Sequence, residues 1–140
     1  MRSSVCLTPI VLLGACVSTN AAVLDASVKL SPICDKGVIV YTDASEVGKD
    51  YKEIALLNSK GKSGYTTEAG MVHSQQQKAA QLGANGIILN PISEPKPGTK
   101  IIGAVLGTGT ERKGSALAIW VPADSEKSAE ICHPARRSPG

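Results

Sequence analysis

The sequence contains very few aromatic residues. Its 140 residues include no Phe, one Trp and three Tyr, so side chains on which bases or sugars could stack are scarce. An excess of charge of one sign is also lacking, because 15 Lys and Arg stand against 12 Asp and Glu, interspersed along the chain. This balance lacks the basic footprint of a nucleic-acid-binding protein. The length and composition predict one small domain with an aliphatic core.

Long hydrophobic runs are absent as well. The most apolar stretch near the beginning of the chain is residues 5–15, "VCLTPIVLLGA". As a helix it would span roughly 16 Å, about half the hydrocarbon core of a bilayer. Arg2 precedes this stretch and small residues end it, which is typical of a secretory signal peptide. Residues 1–15 are therefore predicted to be a signal peptide; the alternative is a buried core segment, but no amphipathic pattern follows directly.

The stretch Leu13–Cys16, "LGAC", resembles the lipobox of bacterial lipoproteins. The resemblance implies that the sulfur of Cys16 carries a diacylglycerol, that cleavage occurs before Cys16, and that the new amine is acylated, for instance with palmitate. Several acyl chains would anchor the protein to a membrane essentially permanently. Cleavage at a conventional site near Ala21 or Ala22 is the alternative. Val17 follows Cys16 in place of Asp, and by resemblance to the sorting rule of enteric bacteria this favours the outer membrane, with the domain facing the periplasm.

The remaining chain predicts a small α/β (α+β) domain at residues 34–124. Residues 16–33 form the lipidated cysteine and a tether, with room for a short edge strand near 26–30. Helical spacing predicts a main helix over 67–82, ended by Gly83 in the left-handed conformation and followed by a turn at Asn85-Gly86. The predicted order is β-β-α-β-β-β, a mixed sheet of about five strands, and residues 125–140 are predicted to be a partly disordered tail. The strands are placed at 37–42, 51–59, 86–92, 100–107 and 115–121.

Three stretches of this domain are similar to the RcsF family of envelope-stress lipoproteins and to related lipoproteins. They are "VIVYTDASEVGKDYKEI" (38–54), "QKAAQLGANGIIL" (77–89) and "KGSALAI" (113–119), so the resemblance covers Val38 to Trp120. It implies a small α/β domain that senses envelope damage through partner proteins. The best-known member holds its loops with two disulfides. This chain has no cysteine between Cys34 and Cys132, so those two bridges cannot form here.

Cys34 and Cys132 lie on either side of everything that looks folded. Export would favour a disulfide between them, and the loop of about 99 residues that it closes corresponds to roughly 4–5 kcal/mol in the chain-entropy description. One alternative is a metal site formed by Cys34, Asp35, Cys132 and His133, although their spacing is unusual for zinc. The other alternative is two unpaired thiols, because the sequence alone does not show that the two ends meet.

Two stretches imitate phosphate-binding loops. In residues 109–115, "GTERKGS", Lys precedes the glycine instead of following it, and in 60–64, "KGKSG", Leu56 stands where the first glycine is required. Both are interpreted as turns. The acidic stretch of Asp43, Glu46, Asp50 and Glu53 is interpreted as a solvated turn, since calcium loops have a different pattern.

His73 is predicted to lie on the solvated face of the helix, because three glutamines follow closely. A hydrolase using Ser74 and His73 is one hypothesis, but no nucleophile signature surrounds them. The leading hypothesis is a non-enzymatic, lipid-anchored envelope protein with a sensory or scaffolding role and no cofactor. It would act through contacts with an unidentified envelope protein. The alternative is a periplasmic domain that binds a small ligand or metal, with loop 107–114 as its mouth.

Overall fold

The computed structural model describes residues 17–62, 64–90 and 110–133. They form an α+β domain with a mixed five-stranded sheet, which confirms the predicted fold class. The strands are β1 (Ser18–Val23), β2 (Ile39–Tyr41), β3 (Lys52–Lys62), β4 (Gly86–Leu89) and β5 (Glu111–Trp120). The helices are α1 (Glu68–Gln81) and α2 (Ser125–Cys132), and three short 3-10 turns cover Asp35–Gly37, Ala44–Glu46 and Pro122–Asp124.

The strands are arranged in the order β1-β3-β5-β4-β2. Only β2 and β4 pair in parallel; the other three pairs are antiparallel. Strands β3 and β4, which α1 connects, run in the same direction, but β5 lies between them. The long antiparallel ladder of β3 and β5 therefore forms the centre of the sheet.

Helix α1 begins and ends as the sequence predicts. The side chain of Thr67 accepts a hydrogen bond from the backbone N–H of Gly70 at 3.0 Å, which is the usual N-cap contact. Gly83 follows the helix with φ +76°, the left-handed conformation predicted for it. Helical spacing predicts a buried stripe of Ala69, Val72, Gln76, Ala79 and Leu82. Ala79 is buried as predicted, but Ala69 is exposed, and Met71 and Gln75 are fully buried.

The core has a layer on each face of the sheet. The layer under α1 is built mainly from Ile, Leu and many alanines, and Ala79 and Ala80 bring the helix close to the sheet. The opposite face carries a smaller cluster of Val47, Ile88, Ile119 and Val121. The many alanines compensate for the lack of Phe, because they let the helix pack closely on the sheet.

The predicted tether at residues 16–33 is wrong for most of its length. Residues 18–23 form β1, paired along its whole length with β3. Thr19 points to α1, where its hydroxyl lies 2.6 Å from the hydroxyl of Ser74. Further along, Ile33 donates a backbone hydrogen bond to Ala80. The small polar residues that resemble a linker are therefore compatible with an edge strand, and no strand forms at 26–30.

The other strands differ from the prediction mainly at their ends. Strand β3 continues through the "KGK" that was expected to end it, and β5 begins at Glu111, four residues early. The additional residues of the two strands pair with each other, Lys60 with Lys113 and Lys62 with Glu111. Consequently the two stretches interpreted as turns lie largely in strands. The predicted strand at 100–107 and the last two residues of the strand predicted at 86–92 lie outside the described residues.

The C-terminal prediction is also corrected. Residues 125–132 form α2 instead of a disordered tail, and residues 134–140 lie outside the described residues. In the described ranges, no helix has the length and apolar character needed to cross a membrane.

Candidate functional site

One end of the sheet carries a concentration of lysines. At this end β1 starts, β3 stops and β5 starts, so that Ser18 pairs with Lys60 and Lys60 pairs with Lys113. Lys62 lies two residues further along β3, opposite Glu111. All five side chains are exposed, and we call these residues the Ser18 end of the sheet.

The turn that follows β3 adds an aromatic side chain to this end. Tyr65 is 79% exposed, the largest exposed fraction among the exposed large hydrophobic side chains of the described residues. Its backbone N–H donates to the carbonyl of Lys62 at 3.0 Å. The turn is held on the sheet by Arg112, which donates to the carbonyl of Thr66 at 2.8 Å. A shallow depression lies between this turn and Arg112, lined by Gly64, Tyr65, Thr66, Thr67, Glu68 and Arg112.

The two cysteines that bracket the domain meet. The Sγ atoms of Cys34 and Cys132 are 2.10 Å apart and their Cα atoms 5.5 Å apart, which meets the geometric condition for a bridge. Helix α2 approaches closely here because residue 37 is glycine: a Cβ at Gly37 would lie 2.8 Å from the Sγ of Cys132. Asp35 and His133 are not gathered with the cysteines into a metal site, and the described residues contain no group of three metal-binding side chains.

A buried carboxylate links a loop to the beginning of α2. Asp124 accepts a hydrogen bond from the ammonium of Lys49 at 2.5 Å and one from the hydroxyl of Tyr41 at 3.4 Å. The contact with Lys49 lowers the pKa of Asp124 and raises the pKa of Lys49. Burial, followed by the charge of Asp124, raises the pKa of Tyr41. The ion pair of Lys49 and Asp124 thus connects the loop before β3 to the beginning of α2.

Asn85 was expected in a turn, but its side chain bridges two elements. Its amide nitrogen donates to the carbonyl of Val121 at 2.8 Å, and its amide oxygen accepts from the N–H of Val121 at 2.7 Å. Its own carbonyl accepts from the N–H of Ile39. Asn85 is 3% exposed, so this single residue joins the ends of β2 and β5.

His73 and Ser74 have different partners. His73 is exposed, as predicted; its Nε2 lies 3.1 Å from the side chain of Gln77 and 3.8 Å from the carboxylate of Asp35. The hydroxyl of Ser74 contacts Thr19 on the other side of the helix. The structure therefore does not bring these two side chains into the nucleophile–base contact that a hydrolase requires.

The acidic stretch forms local turns. The carboxylate of Asp43 accepts from the backbone N–H of Ser45, and that of Glu46 accepts from the backbone N–H of Thr42. These hydrogen bonds lower the pKa of both carboxyls. The contacts order residues 42–46, which agrees with the interpretation as a solvated turn for Asp43 and Glu46. Glu53, assigned to the same turn, lies in β3 instead.

No protein-family model and no curated protein matches the chain. Among solved structures, the chain is similar to a Francisella virulence factor, FvfA, with a TM-score of 0.52 and 14% sequence identity. The alignment covers 73% of this chain and 96% of that one. At this identity the likeness concerns the fold alone, and the resemblance to the RcsF family stays a prediction.

Sequence reasoning placed the cysteine pair but missed the lysine-rich sheet end and the Lys49–Asp124 pair. Lys60 and Lys113 are 53 positions apart, and only the register of β3 against β5 makes them neighbours. One signal was available in the sequence: charged residues occupy every second position of "SKGK", and Glu111 and Lys113 are likewise two residues apart. This spacing fits strands with one solvated face. Cys16 lies outside the described residues.

Proposed function

We propose that this protein is a lipid-anchored envelope protein that acts by contacting other proteins and does not catalyse a reaction. The observation that carries the proposal is the position of β1, which begins two residues after Cys16. Two residues of fully extended chain span at most about 7 Å. A lipid on Cys16 would therefore hold the Ser18 end of the sheet next to the bilayer, with no long tether between them.

The opposite end of β1 offers a surface for a partner protein. Among the described residues, β1 pairs with β3 alone, so the backbone groups on its outer edge can receive another strand. Val23 and the following Leu24 are 51% and 54% exposed. With Ser18 at the membrane, these apolar side chains would face away from it, where a periplasmic partner could reach them.

Lipid attachment is tested by labelling cells with an alkyne fatty acid. We expect label on the wild-type protein and on a Cys6→Ser variant, whose substitution lies in the predicted signal peptide. We expect none on Cys16→Ser, because only a thiol forms the thioether. Equal labelling of wild type and Cys16→Ser would contradict the anchor and favour cleavage near Ala22.

The contact hypothesis is tested by site-specific photo-cross-linking in intact envelopes. A photoreactive residue at position 23 should give a discrete protein adduct, while the same residue at the exposed position 40 on the other sheet edge should not. The adduct should disappear when Leu24→Lys places a charge in the apolar patch. Equal adduct patterns from positions 23 and 40 would count against an interface at β1.

A further inference from the structure

The Ser18 end of the sheet concentrates positive charge that the described part of the domain does not neutralise. Lys60 and Lys113 stand directly opposite each other on neighbouring strands, an arrangement of like charges that is normally unfavourable. Among the described residues, Lys60, Lys62 and Lys113 form no ion pair within 4 Å. Glu111 is the one acidic residue in register with them. An external anion would relieve this repulsion.

The lysines are close to Cys16, so the anions nearest to them would be lipid headgroups of the bilayer that holds the acyl chains. Lys60 is the direct neighbour of Ser18, and Lys113 is one strand further, about 10 Å from Ser18 at ordinary strand spacing. Lys62 extends roughly 7 Å beyond Lys60. Cys16 cannot lie farther than about 7 Å from Ser18. The backbone positions of all three lysines are therefore within about 17 Å of Cys16, roughly two Debye lengths at physiological ionic strength.

The exposed aromatic residue has the same location. Tyr65 follows Lys62 by three residues and is 79% exposed, although the chain has only three Tyr and one Trp. Tyr side chains are enriched at the headgroup level of membranes, where an apolar ring and a polar hydroxyl are both accommodated. An exposed Tyr beside unpaired lysines is the combination expected of a surface that rests on headgroups.

We propose that the Ser18 end, with Tyr65, binds the anionic phospholipid headgroups of the bilayer in which Cys16 is anchored. The proposal rests on the lipid anchor proposed above. Each lysine near an anionic membrane surface contributes roughly fivefold to association, the equivalent of about 1 kcal/mol. Three lysines would hold the domain upright on the membrane, with β1 running away from the bilayer and Val23 and Leu24 at the distal end.

Lysine acetylation measured by mass spectrometry tests this on the lipidated full-length product. The protein is reconstituted into nanodiscs of phosphatidylcholine alone or with phosphatidylglycerol. We expect Lys60, Lys62 and Lys113 to react roughly fivefold more slowly in the anionic discs, and high salt to remove the difference. The matched internal control is the exposed set Lys36, Lys52 and Lys127, which lies at the other end of the sheet and should react equally in both discs.

Three results would overturn the proposal. One is equal reactivity of the Ser18-end lysines in both discs, and another is equal slowing of the control lysines. The third is protection by inorganic phosphate without anionic lipid, which would indicate a small-anion site. A protein that does not incorporate into nanodiscs at all, with no acyl mass on Cys16, would contradict the anchor itself. This outcome is read from the same spectra and is distinguishable from the other three.

A pair of charge variants gives an independent readout. With Tyr65→Trp as a fluorophore in a Trp120→Tyr background, the emission should shift to shorter wavelength in anionic discs. The shift should be lost in Lys60→Gln/Lys62→Gln/Lys113→Gln. It should be kept in Lys36→Gln/Lys52→Gln/Lys127→Gln, which has the same change of net charge. Identical shifts in the two triple variants would refute a specific role of the Ser18 end.

Discussion

Asn85 is the residue whose side chain the fold uses most heavily. Its amide satisfies both backbone groups of Val121 in a place that water does not reach, since Asn85 is 3% and Val121 0% exposed. We expect Asn85→Ala to lower the free energy of unfolding by about 3 kcal/mol, because two buried backbone groups lose their partners. Urea denaturation followed by circular dichroism measures this.

Asn58→Ala is the matched control for that substitution. Asn58 is an exposed amide in the middle of β3, and its loss should change the free energy of unfolding by less than about 0.5 kcal/mol. Similar effects of the two substitutions would show that the contact with Val121 is not what stabilises the end of the sheet.

The ion pair of Lys49 and Asp124 makes stability depend on pH. The pKa of Asp124 is lower in the folded protein than its ordinary value, so the unfolded chain binds a proton more readily. The stability that this carboxylate contributes is present above the unfolded pKa of about 4 and is lost as the pH falls through the lowered folded pKa. Asp124→Asn should therefore be less stable than wild type at pH 7.

That difference between wild type and Asp124→Asn should shrink toward pH 2, as thermal melts over a pH series would show. The pKa of Lys49 is raised in the folded protein. The stability that its ammonium group contributes is therefore present below the unfolded pKa of 10.5 and is lost as the pH rises through the folded pKa. Asp50→Asn serves as the control, because it removes an exposed carboxylate that makes no hydrogen bond or ion pair within the described ranges. A gap that stays constant from pH 2 to pH 7 would contradict the role of Asp124.

At the scale of elements, Gly83 allows the connection between α1 and β4. Its φ is +76°, and a Cβ there would lie 2.4 Å from the Cβ of Leu30 and 2.7 Å from the carbonyl of Ser31. Gly83→Ala should cost more than about 2 kcal/mol, the sum of the left-handed strain and a clash with backbone. Gly48 has φ +57° but nothing within 4 Å.

Gly48→Ala therefore measures the conformational strain alone, about 1 kcal/mol. The excess at Gly83 should appear both in the free energy of unfolding and in faster amide exchange at Leu30 and Ser31, since these residues must move. Equal costs at the two glycines would mean that the 28–33 segment is not packed on the helix end as described.

The elements that the sequence predicted well are those with strong local signals. Helix α1 has a capping Thr67 and a terminal Gly83, and β4 is apolar on both faces. The elements it missed depend on partners distant in the chain. Strand β1 is built from small polar residues and is defined by pairing with β3 and by contact with Ser74. Helix α2 depends on the place where Cys132 meets Cys34.

In the candidate site, too, the sequence predicts what depends on local signals and misses what depends on residues distant in the chain. Cys34 and Cys132 could be proposed as a disulfide because few cysteines are available, but only the structure shows that they meet. The juxtaposition of Lys60 with Lys113 required the register of two strands, and "KGK" had pointed to a break. Gln75 is buried although it is polar, because it donates to the hydroxyl of Ser59, which donates in turn to the carbonyl of Gly114. Periodicity does not reveal such a polar contact inside the core.

At the scale of the whole molecule, the two ends of the sheet have different roles. The Ser18 end holds the three lysines that form no ion pair with another described residue, and it begins two residues after Cys16. The other end holds the Asn85–Val121 contact, the Lys49–Asp124 pair and the bridge between Cys34 and Cys132. The cross-links that oppose unfolding are thus placed away from the surface proposed to meet the membrane, so that substitutions of the lysines should leave stability nearly unchanged.

The bridge should be the largest single contribution to stability. Cys34 and Cys132 are 98 positions apart, and closing so long a loop stabilises a protein by about 4–5 kcal/mol in the chain-entropy description. Helix α2 has eight residues, too few to be stable alone, and it contacts mainly the 3-10 turns at 35–37 and 122–124. We expect Cys34→Ser/Cys132→Ser to melt well below wild type.

Two measurements separate this effect from simple loss of packing. Reductant should lower the melting temperature of wild type toward that of the double variant and leave the double variant unchanged. Hydrogen exchange should then accelerate most in α2, at Ser128 and its neighbours, while α1 exchanges only by global unfolding. Wild type that carries two reactive thiols under oxidising conditions, with a melting temperature indifferent to reductant, would contradict the bridge. The aliphatic core and the Asn85–Val121 contact would then have to hold the domain by themselves.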